Sequence, residues 1–337
     1  MSINLKKELD KLINTAENIT LTTHLRPDHD AICSTLALYY YVNTNFPSKK
    51  ARIVLEKPEN KTWEELANFE LVKWVGDLGK EVDRCDLIML TDANSWNRAT
   101  KNPENIRKHP AVKVCIDHHQ TEGNDKFELK YVDKTAAAAT QIMAEELFDN
   151  LKAIPKEVLE TLILGIIGDT GKFSFINSVN ARVLGTAQKI ITAGDLLVEK
   201  VFLKFGKIHP QELEVTAKLL ENTRFAEIPE RPNIMYSFLK KEIIKVDPVI
   251  VQNAYHNFMG NYLRQVDGYP WGFVVVPMGG GEYKVSFRSI NGGPSVLAIA
   301  EHFGGGGHIP ATACTIEAKD KTPLEICNMV LKIIVVY

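Results

Sequence analysis

Acidic and imidazole side chains follow three short apolar runs of this sequence. They are His24, Asp28 and Asp30 after the run 19–22, Asp92 after the run 87–90, and Asp117, His118 and His119 after the run 112–116. Short apolar runs predict buried strands, and in an open parallel sheet ligands gather where the strands end. Histidine and aspartate without cysteine suit Mn²⁺, Mg²⁺ or iron better than a closed structural zinc site. The sequence therefore predicts a metal site at one edge of a sheet.

The first of these segments places two carboxylates close together. Asp28 and Asp30 are two residues apart, so on an extended segment they would face the same side. Pro27 disfavours a helix at the preceding residue, which keeps the segment extended or turned. Together with His24, the two acids could bind a divalent ion, although Asp30 could instead cap the following helix. His29, between the acids, is predicted to be structural.

The second and third segments each have an alternative interpretation. A single acid such as Asp92 is commonly a cap or turn residue, and it becomes a candidate metal bridge only beside other ligands. His118 and His119 are adjacent, so one could bind a metal while the other faces a substrate. Asp117 could orient one of the two imidazoles. The alternative is a charged turn after the strand.

A fourth acid, Asp169, follows the predicted helix 158–167 and precedes Thr170 and Gly171. An ordinary helix end followed by a glycine turn would explain the same pattern. Counted with the earlier acids, it brings four carboxylates to the proposed centre, where like charges raise one another's pKa. Two divalent ions, ~3.5–4 Å apart as in two-metal phosphoesterase sites, would compensate the charge.

The bulk composition restricts the possible functions. The chain has 337 residues and a formal net charge of −2; its length predicts two domains, because single cores stop growing near ~250–300 residues. The charge disfavours a protein that tracks long nucleic acid along a basic groove. Five scattered cysteines and an N-terminal segment without an apolar signal core predict reduced thiols and a cytoplasmic location. No apolar stretch approaches the ~20 residues of a membrane span, so no membrane association is expected.

Strand and helix patterns alternate in the first two thirds of the chain, which predicts an α/β fold with a parallel, doubly wound sheet. After residue 224 short alternating runs predict a smaller mixed sheet. The predicted strands are 18–23, 52–55, 86–91, 112–117, 234–238, 273–276 and 283–287. The predicted helices are 2–17, 30–43, 64–74, 136–148, 155–167, 180–193, 210–222 and 295–302.

A glycine run near the C-terminus forms a second candidate site. Gly304 to Gly307 precede His308, and bare backbone lets amide groups approach a phosphate or a base closely. Arg288 and Ser289 end a predicted strand upstream, and arginine offers a planar fork for phosphate oxygens. Each feature alone is commonly a flexible turn or a surface residue. Together they predict an anion-recognition site in the second domain.

These motifs, taken together, resemble the DHH phosphoesterase family. Within it they are similar to the two-domain branch of nanoRNases and 3′-phosphoadenosine 5′-phosphate phosphatases, a group that also includes linear and cyclic dinucleotide phosphodiesterases. The matching elements, in family order, are His24, Pro27, Asp28, Asp30 and Ser34, then Asp92, then Asp117, His118 and His119, then Asp169, Thr170 and Gly171, and finally Arg288, Ser289 and the glycine run with His308.

The resemblance implies a domain organisation and a cofactor. It implies a DHH metal-binding catalytic domain over 1–195, a linker helix over 196–222 and a DHH-associated substrate-binding domain over 223–337. It also implies two Mn²⁺ ions, with Mg²⁺ or another divalent ion as the alternative. One ion would be held by His24, Asp28 and Asp92, and the other by Asp30, Asp92, His118 and Asp169, with Asp92 bridging.

The resemblance also assigns roles in the reaction. Water or hydroxide shared by the metals would attack phosphorus, and His119 would contact the scissile phosphate or help the leaving oxygen depart. Asp117 would support the histidines. The substrate's other phosphate or its base would be bound by Arg288, Ser289, Gly306, Gly307 and His308. Three positions depart from the common family pattern, namely Cys33, Gly168 and Ala313, and Ala313 puts the base or length preference in doubt.

The leading hypothesis is a Mn²⁺-dependent phosphodiesterase that releases mononucleotides from short RNA or from linear dinucleotides such as pApA. It could also convert 3′-phosphoadenosine 5′-phosphate to AMP. The alternatives are a pyrophosphatase or polyphosphatase of the same superfamily, a cyclic di-AMP phosphodiesterase and a non-catalytic nucleotide sensor. An exonuclease on long single-stranded DNA is disfavoured, because that binding needs a basic groove with stacking aromatics. The resemblance makes a homodimer plausible.

Overall fold

The computed structural model describes residues 3–56, 66, 68–121, 123–205, 208–290 and 292–336, without the side chains at 204, 205, 308 and 336. The chain divides into two compact units, residues 1–207 and 208–337. The boundary between them falls inside the stretch 196–222. Each unit has a sheet of its own and is described by itself.

The first unit is built on a six-stranded sheet in which every neighbouring pair of strands is parallel. Its strands are β1 (Asn18–Thr22), β2 (Lys50–Glu56), β3 (Val72–Val75), β4 (Leu87–Thr91), β5 (Val112–Asp117) and β6 (Leu129–Val132). Their order across the sheet is β3-β2-β1-β4-β5-β6. The direction of winding reverses between β1 and β4, and in such sheets the crevice at that point is the usual ligand site.

Helices cover both faces of this sheet, which confirms the predicted doubly wound α/β architecture. They are α1 (Leu5–Thr15), α2 (His29–Asn45), α3 (Leu78–Glu81), α4 (Trp96–Ala99), α5 (Pro103–Lys108), α6 (Ala139–Glu146), α7 (Lys156–Asp169), α8 (Val183–Gly194) and α9 (Val198–Phe205). Alternate strand residues enter different cores, because successive side chains point to opposite faces. Leu87 and Met89 pack with α2 and α7, whereas Ile88 and Leu90 pack with Trp96 on the other face.

One predicted element of the first unit is wrong. A helix was expected over 64–74, but Phe69–Leu71 is a short 3₁₀ turn and residues 72–74 belong to β3. Strand β3 has only four residues, which is too few to show the alternation of apolar and polar residues that is typical of a strand. The apolar residues before it have helical spacing, and that pattern dominated the prediction. The rest of the predicted helix, residues 64, 65 and 67, lies outside the described part of the chain.

The second unit contains a mixed sheet, as predicted, but this sheet has six strands, as many as the first, and is not smaller. Its strands are β7 (Arg224–Ala226), β8 (Ile234–Phe238), β9 (Trp271–Gly279), β10 (Glu282–Ser289), β11 (Gly306–His308) and β12 (Ala311–Glu317), and its helices are α10 (Pro210–Glu221), α11 (Pro248–Asn261), α12 (Leu297–His302) and α13 (Pro323–Val336). The order is β11-β12-β10-β9-β8-β7, and only β8 and β9 are parallel among these neighbours. Apolar clusters lie on both faces of this sheet.

Among the described residues, no helix combines the length and the apolar character needed to cross a membrane.

The close approach of α7 to α6 generates a prediction about Gly165. A Cβ atom at this position would lie 2.5 Å from Thr140 Oγ1 and 2.8 Å from Asp30 Oδ1. Overpacking of a tight core typically costs about 1–3 kcal/mol, so we expect Gly165→Ala to lower the free energy of unfolding by that amount. Urea unfolding, followed by circular dichroism, measures the change.

Gly185 in α8 provides a matched control, because no atom lies within 4 Å of a Cβ built there. Alanine in an open helical position stabilises by up to about 1 kcal/mol relative to glycine. We therefore expect Gly185→Ala to leave stability unchanged or to raise it. An equal decrease in the free energy of unfolding in both variants would contradict the prediction that Gly165 is needed for the close contact of α7 with Thr140 and Asp30.

Candidate metal centre

Asp92 occupies the point where the winding of the first sheet reverses, directly after β4. Its φ angle is 56°, in the left-handed region that non-glycine residues seldom adopt. The side chain is 1% exposed, and the backbone N–H donates to Ile116 O at 3.0 Å. Strained backbone of this kind persists only where the surrounding structure imposes it, and it clusters at functional sites. The fold thus fixes a buried carboxylate in the crevice between β1 and β4.

The segment after β1 brings two further groups to Asp92. His24 Nε2 lies 3.4 Å from Asp92 Oδ2. Asp28 is the N-cap of α2, with its Oδ1 accepting from Ala31 N at 3.1 Å, so the expectation that Asp30 might be the cap is wrong. His24, Asp28 and Asp92 each offer one ligand atom, and these atoms lie within 4.8 Å of one another.

Asp30 lies inside α2, not on an extended segment as the sequence suggested. Its carboxylate is fully buried and accepts hydrogen bonds from Ala139 N, from Thr140 N at 2.9 Å and from Thr140 Oγ1 at 2.6 Å. These donors form the N-terminus of α6, where free amides and the helix dipole favour a negative charge. The first turn of α6 therefore holds Asp30 in place.

A second group of ligand atoms forms around His118. Its Nε2 lies 3.0 Å from Asp169 Oδ2, 3.2 Å from Asp92 Oδ1 and 3.8 Å from Asp30 Oδ2. These four residues also offer ligand atoms within 4.8 Å of one another. Asp169 is the last residue of α7, not the residue after the helix. Asp92 belongs to both groups, so the structure brings together all six residues that the resemblance assigned to metals.

Asp117 stands beside these two groups, and His119 belongs to a third group of possible ligand atoms with Asp92 and His118. Asp117 Oδ1 lies 2.7 Å from His119 Nδ1, and Asn94 Nδ2 donates to Asp117 Oδ2 at 2.5 Å. His119 Nδ1 is also 3.6 Å from Asp92 Oδ1, and its side chain is 30% exposed. Asp117 thus contacts His119, whereas His118 points at the other acids. The arrangement leaves His119 Nε2 available to a ligand.

Burial and mutual repulsion shift the pKa values of these groups. Burial, followed by the charges of Asp169 and Asp92, raises the pKa of Asp30 well above its usual range. Burial, with the charges of Asp92 and Asp28, also raises the pKa of Asp169. Burial opposes ionisation of Asp92 as well, but the imidazoles of His118 and His24 hold its pKa below the usual range. Neighbouring acids raise the pKa of His118 although burial opposes this.

The donor set suits divalent ions. Asp92 Oδ1 and His118 Nε2 are buried and lie 3.2 Å apart, but neither makes a well-aligned hydrogen bond within the described residues. Unpaired buried polar atoms are rare and call for an ion or another partner. Carboxylate oxygens and imidazole nitrogens without thiolate are ligands for Mn²⁺, Mg²⁺ or Fe²⁺. Divalent ions at the two groups would satisfy both atoms and offset the acidic charge.

Sequence reasoning missed the residues that position these ligands. Asn94 orients Asp117, and the amides of Ala139 and Thr140 hold Asp30. Asn94 could have been suspected, because it follows Asp92 by two residues at a strand end. The amide donors have no signal in residue type. His29, expected to be structural, is half-buried, and a Cβ at Gly168 would come within 2.6 Å of its Cβ.

The predicted anion-binding residues of the second unit lie on two strands that are separated by one other strand. Arg288 and Ser289 end β10, and Gly306, Gly307 and His308 form β11, with β12 between them. Ala311 pairs with both Arg288 and His308, so these two positions share one line across the sheet. Gly307 has a φ of 142°, which favours glycine. The side chain of His308 lies outside the described part of the chain.

Comparisons with known proteins agree with this architecture. Residues 18–166 match the model of the DHH family, N-terminal domain. The bifunctional oligoribonuclease and PAP phosphatase NrnA of Mycoplasma pneumoniae is 23% identical over 312 residues, covering 91% of this chain and 90% of the relative. The protein of the same name from Thermus thermophilus is 27% identical over 322 residues, covering 90% and 85%.

Two solved structures share the fold. An exopolyphosphatase-related protein from Bacteroides fragilis superposes with a TM-score of 0.81 at 17% identity, covering 97% of this chain and 95% of the other. Exonuclease RecJ bound to manganese superposes with a TM-score of 0.52 at 13% identity, covering 99% and 94%. Sequence motifs, topology and these matches agree that residues 18–166 form a DHH-family N-terminal domain, and the chain is a metal-dependent phosphoesterase hydrolase.

Proposed function

We propose that this protein is a Mn²⁺-dependent phosphodiesterase that releases mononucleotides from short oligoribonucleotides and linear dinucleotides, and that it also removes the 3′-phosphate of 3′-phosphoadenosine 5′-phosphate. The observation that carries the proposal is the position of Asp92, which is shared by two groups of ligand atoms. A shared carboxylate between two ion sites is the arrangement expected of a two-metal phosphoesterase.

Each residue of the centre has a role in this proposal. His24, Asp28 and Asp92 would hold one ion, and Asp30, Asp92, His118 and Asp169 would hold the other. Bound divalent ions lower the pKa of a coordinated water and so supply a nucleophile near neutral pH. Asp117 accepts the Nδ1 proton of His119, and we expect His119 Nε2 to contact the phosphate or to protonate the leaving oxygen.

The choice of short nucleotide substrates rests on the names of the relatives and on charge. The relatives from Mycoplasma pneumoniae and Thermus thermophilus are oligoribonucleases and PAP phosphatases that align over most of this chain. The net charge of −2 gives no support for a basic groove along long nucleic acid, although it is compatible with a local cationic patch. Manganese is supported by the donor set and by the manganese in a RecJ structure of the same fold.

A product assay tests the proposed function. Purified protein in Mn²⁺ is given pApA, 3′-phosphoadenosine 5′-phosphate, cyclic di-AMP and pyrophosphate in separate reactions, and the products are separated by chromatography. We expect AMP from the first two and slower turnover of the others. Pyrophosphate turned over faster than pApA would indicate a pyrophosphatase. Tight binding of pApA without any product would indicate a nucleotide sensor.

Asp92→Asn tests the shared ligand. Asparagine tolerates the left-handed conformation, so the backbone is preserved while the bridging charge is removed. Metal ions stabilise the charge of the transition state by several kcal/mol, and losing that stabilisation corresponds to roughly 10²–10⁴-fold lower kcat. We expect kcat for AMP release from pApA to decrease by that factor.

Asp86→Asn is the matched control for this variant. Asp86 precedes the opposite end of β4 and accepts from the amides of Glu17 and Asn18. We expect its substitution to leave kcat within about twofold, since surface contacts contribute little. Equal activity of Asp92→Asn and the wild type would contradict the two-metal assignment.

Asp117→Asn tests the positioning of His119. Without the carboxylate, the imidazole of His119 loses the charged hydrogen-bond partner that orients its ring and stabilises its protonated form. General acid–base assistance typically raises reaction rates by roughly 10²–10⁴-fold. We expect kcat to fall by about 10²-fold while Mn²⁺ still raises the melting temperature. Asp125→Asn serves as the control, because Asp125 is a buried acid bonded to Ser95, Trp96 and Arg107. That variant should lose stability without losing kcat; equal kcat losses in both would contradict a specific role for Asp117.

The metal-dependent gain in stability should grow with pH. The raised pKa values of Asp30, Asp169 and His118 mean that the metal-free folded protein binds more protons than the unfolded chain, so these groups stabilise the fold at low pH and destabilise it as pH rises. Divalent ions bind the deprotonated ligands and relieve that penalty. We expect the difference in melting temperature between Mn²⁺ and EDTA to be larger at pH 8 than at pH 6. A difference that shrinks with pH would be evidence against these ligands.

A further inference from the structure

Strand β10 carries a row of polar side chains on one face. Lys284, Ser286 and Arg288 alternate with residues that are buried in the apolar core. On an extended strand the Cα atoms of Lys284 and Arg288 lie roughly 13 Å apart, at about 3.3 Å per residue. The predicted substrate contacts include only the Arg288 end of this row.

Separate contacts hold the two cations at their own positions. Lys284 Nζ lies 5.5 Å from the centre of the Tyr255 ring, in a cation–π contact. Arg288 Nη1 donates to Phe287 O at 2.7 Å, and Arg264 Nη1 lies 3.5 Å from Ser289 O. The row therefore offers two positive positions, one at each end.

These cations lack acidic partners. Within the ranges that the structure describes, no carboxylate lies within 4.0 Å of the charged nitrogens of Arg264, Lys284 or Arg288. Burial and the neighbouring Arg264 lower the pKa of Arg288. Loss of hydration, together with Lys284 and Arg288, lowers the pKa of His256 to about 4. Glu282 and its cross-strand partner Glu317 lie beyond Lys284 on this face, so the positive field that favours a bound anion lies between Lys284 and Arg288.

Tyr255 supplies an independent observation at the Lys284 end. Its side chain is 3% exposed, and its hydroxyl has no hydrogen-bond partner among the described residues. An unpaired buried hydroxyl is unfavourable unless a partner arrives. Tyr255 and Lys284 also line a cavity of about 170 Å³ with mostly apolar walls. Lys284 Nζ lies over the Tyr255 ring, so a phosphate bound by this ammonium group would lie beside Tyr255.

Small side chains keep the surface beside the row accessible. On β12, Ala311 pairs with Arg288, Ala313 with Ser286 and Thr315 with Lys284. Cross-strand partners share a face of the sheet. Ser286, between the two cations, is buried, whereas Ala313 is half-buried and Thr315 is exposed, so a ligand that reaches from one cation to the other would lie over β12 beside the row.

We propose that Lys284 and Tyr255 form a second phosphate subsite on β10, separate from Arg288, which lets the second unit hold an oligonucleotide longer than a dinucleotide. The inference rests on the proposed function, in which Arg288 contacts a phosphate that is not hydrolysed. A trinucleotide carries one phosphate more than a dinucleotide, and that phosphate would occupy the new subsite.

The test compares pApA with pApApA in Mn²⁺ for the wild type, Tyr255→Phe and Lys284→Met. Charge-assisted hydrogen bonds to one additional phosphate should make the wild-type KM for pApApA lower than that for pApA by about fivefold to tenfold. In each variant the KM for pApApA should be less than about twofold lower than the KM for pApA. The KM for pApA itself should be unchanged. Calorimetry in EDTA repeats the comparison without turnover, so a failure of catalysis and a failure of the subsite give different results.

Two control variants separate ligand binding from folding. The Tyr283 hydroxyl donates to Lys321 O at 2.5 Å, so Tyr283→Phe should lower the melting temperature without changing either KM. Tyr255→Phe should not lower the melting temperature, because no internal hydrogen bond is lost. Lys241→Met removes an exposed lysine of the same unit and should change neither KM.

Three outcomes would overturn the inference. Equal KM changes for pApA and pApApA in Lys284→Met would place Lys284 in the same subsite as Arg288. Wild-type protein that binds the two ligands equally well, in Mn²⁺ and in EDTA, would show that no additional phosphate is recognised. A melting temperature lowered by Tyr255→Phe as much as by Tyr283→Phe would mean that its hydroxyl has a partner within the protein.

Discussion

Repulsion between buried carboxylates is the constraint on which the first unit depends. The parallel order of the sheet places β1 beside β4, so acids that follow different strands meet in one crevice. Asp30, Asp92 and Asp169 then share a volume with little water, where each charge opposes the others. Imidazoles partly compensate Asp92, and the start of α6 compensates Asp30. The remaining imbalance favours the binding of divalent ions at this centre.

Much of this arrangement could be predicted because strand-end ligands follow from local patterns. Apolar runs locate the strands, and the acids and histidines after them are visible by type. The left-handed backbone of Asp92 could not be predicted, because it depends on a contact between strands. After β4 ends, the Asp92 N–H donates a hydrogen bond to Ile116 O in β5. The contact of Asp30 with α6 joins residues more than a hundred positions apart, and no spacing rule reaches that far.

The errors have physical causes of the same kind. Strand β3 was taken for part of a helix because four residues are too few to show their period. Asp28, not Asp30, caps α2, since the helix begins one residue earlier than its apolar pattern indicates. In the second unit, the glycine run and Arg288 were recognised as a pattern, whereas Tyr255 became visible only as a buried hydroxyl without a partner.

Local charge differs between the two candidate sites, which the net charge of −2 conceals. Acids dominate the metal centre of the first unit, whereas Lys284 and Arg288 on β10 of the second unit make no ion pair among the described residues. Composition averages over the chain and so cannot report this separation.

The hydrogen bond from Ala139 to Asp30 has a consequence for how this protein can change over time. The donor is a backbone amide, so the identity of the side chain at position 139 does not affect it. Any residue of similar size except proline would keep the bond, because only proline lacks the amide hydrogen. Evolutionary drift at this position can therefore proceed without loosening a buried ligand of the centre. A residue-by-residue comparison of distant relatives would not identify this backbone amide, although it helps to fix the position of the Asp30 carboxylate.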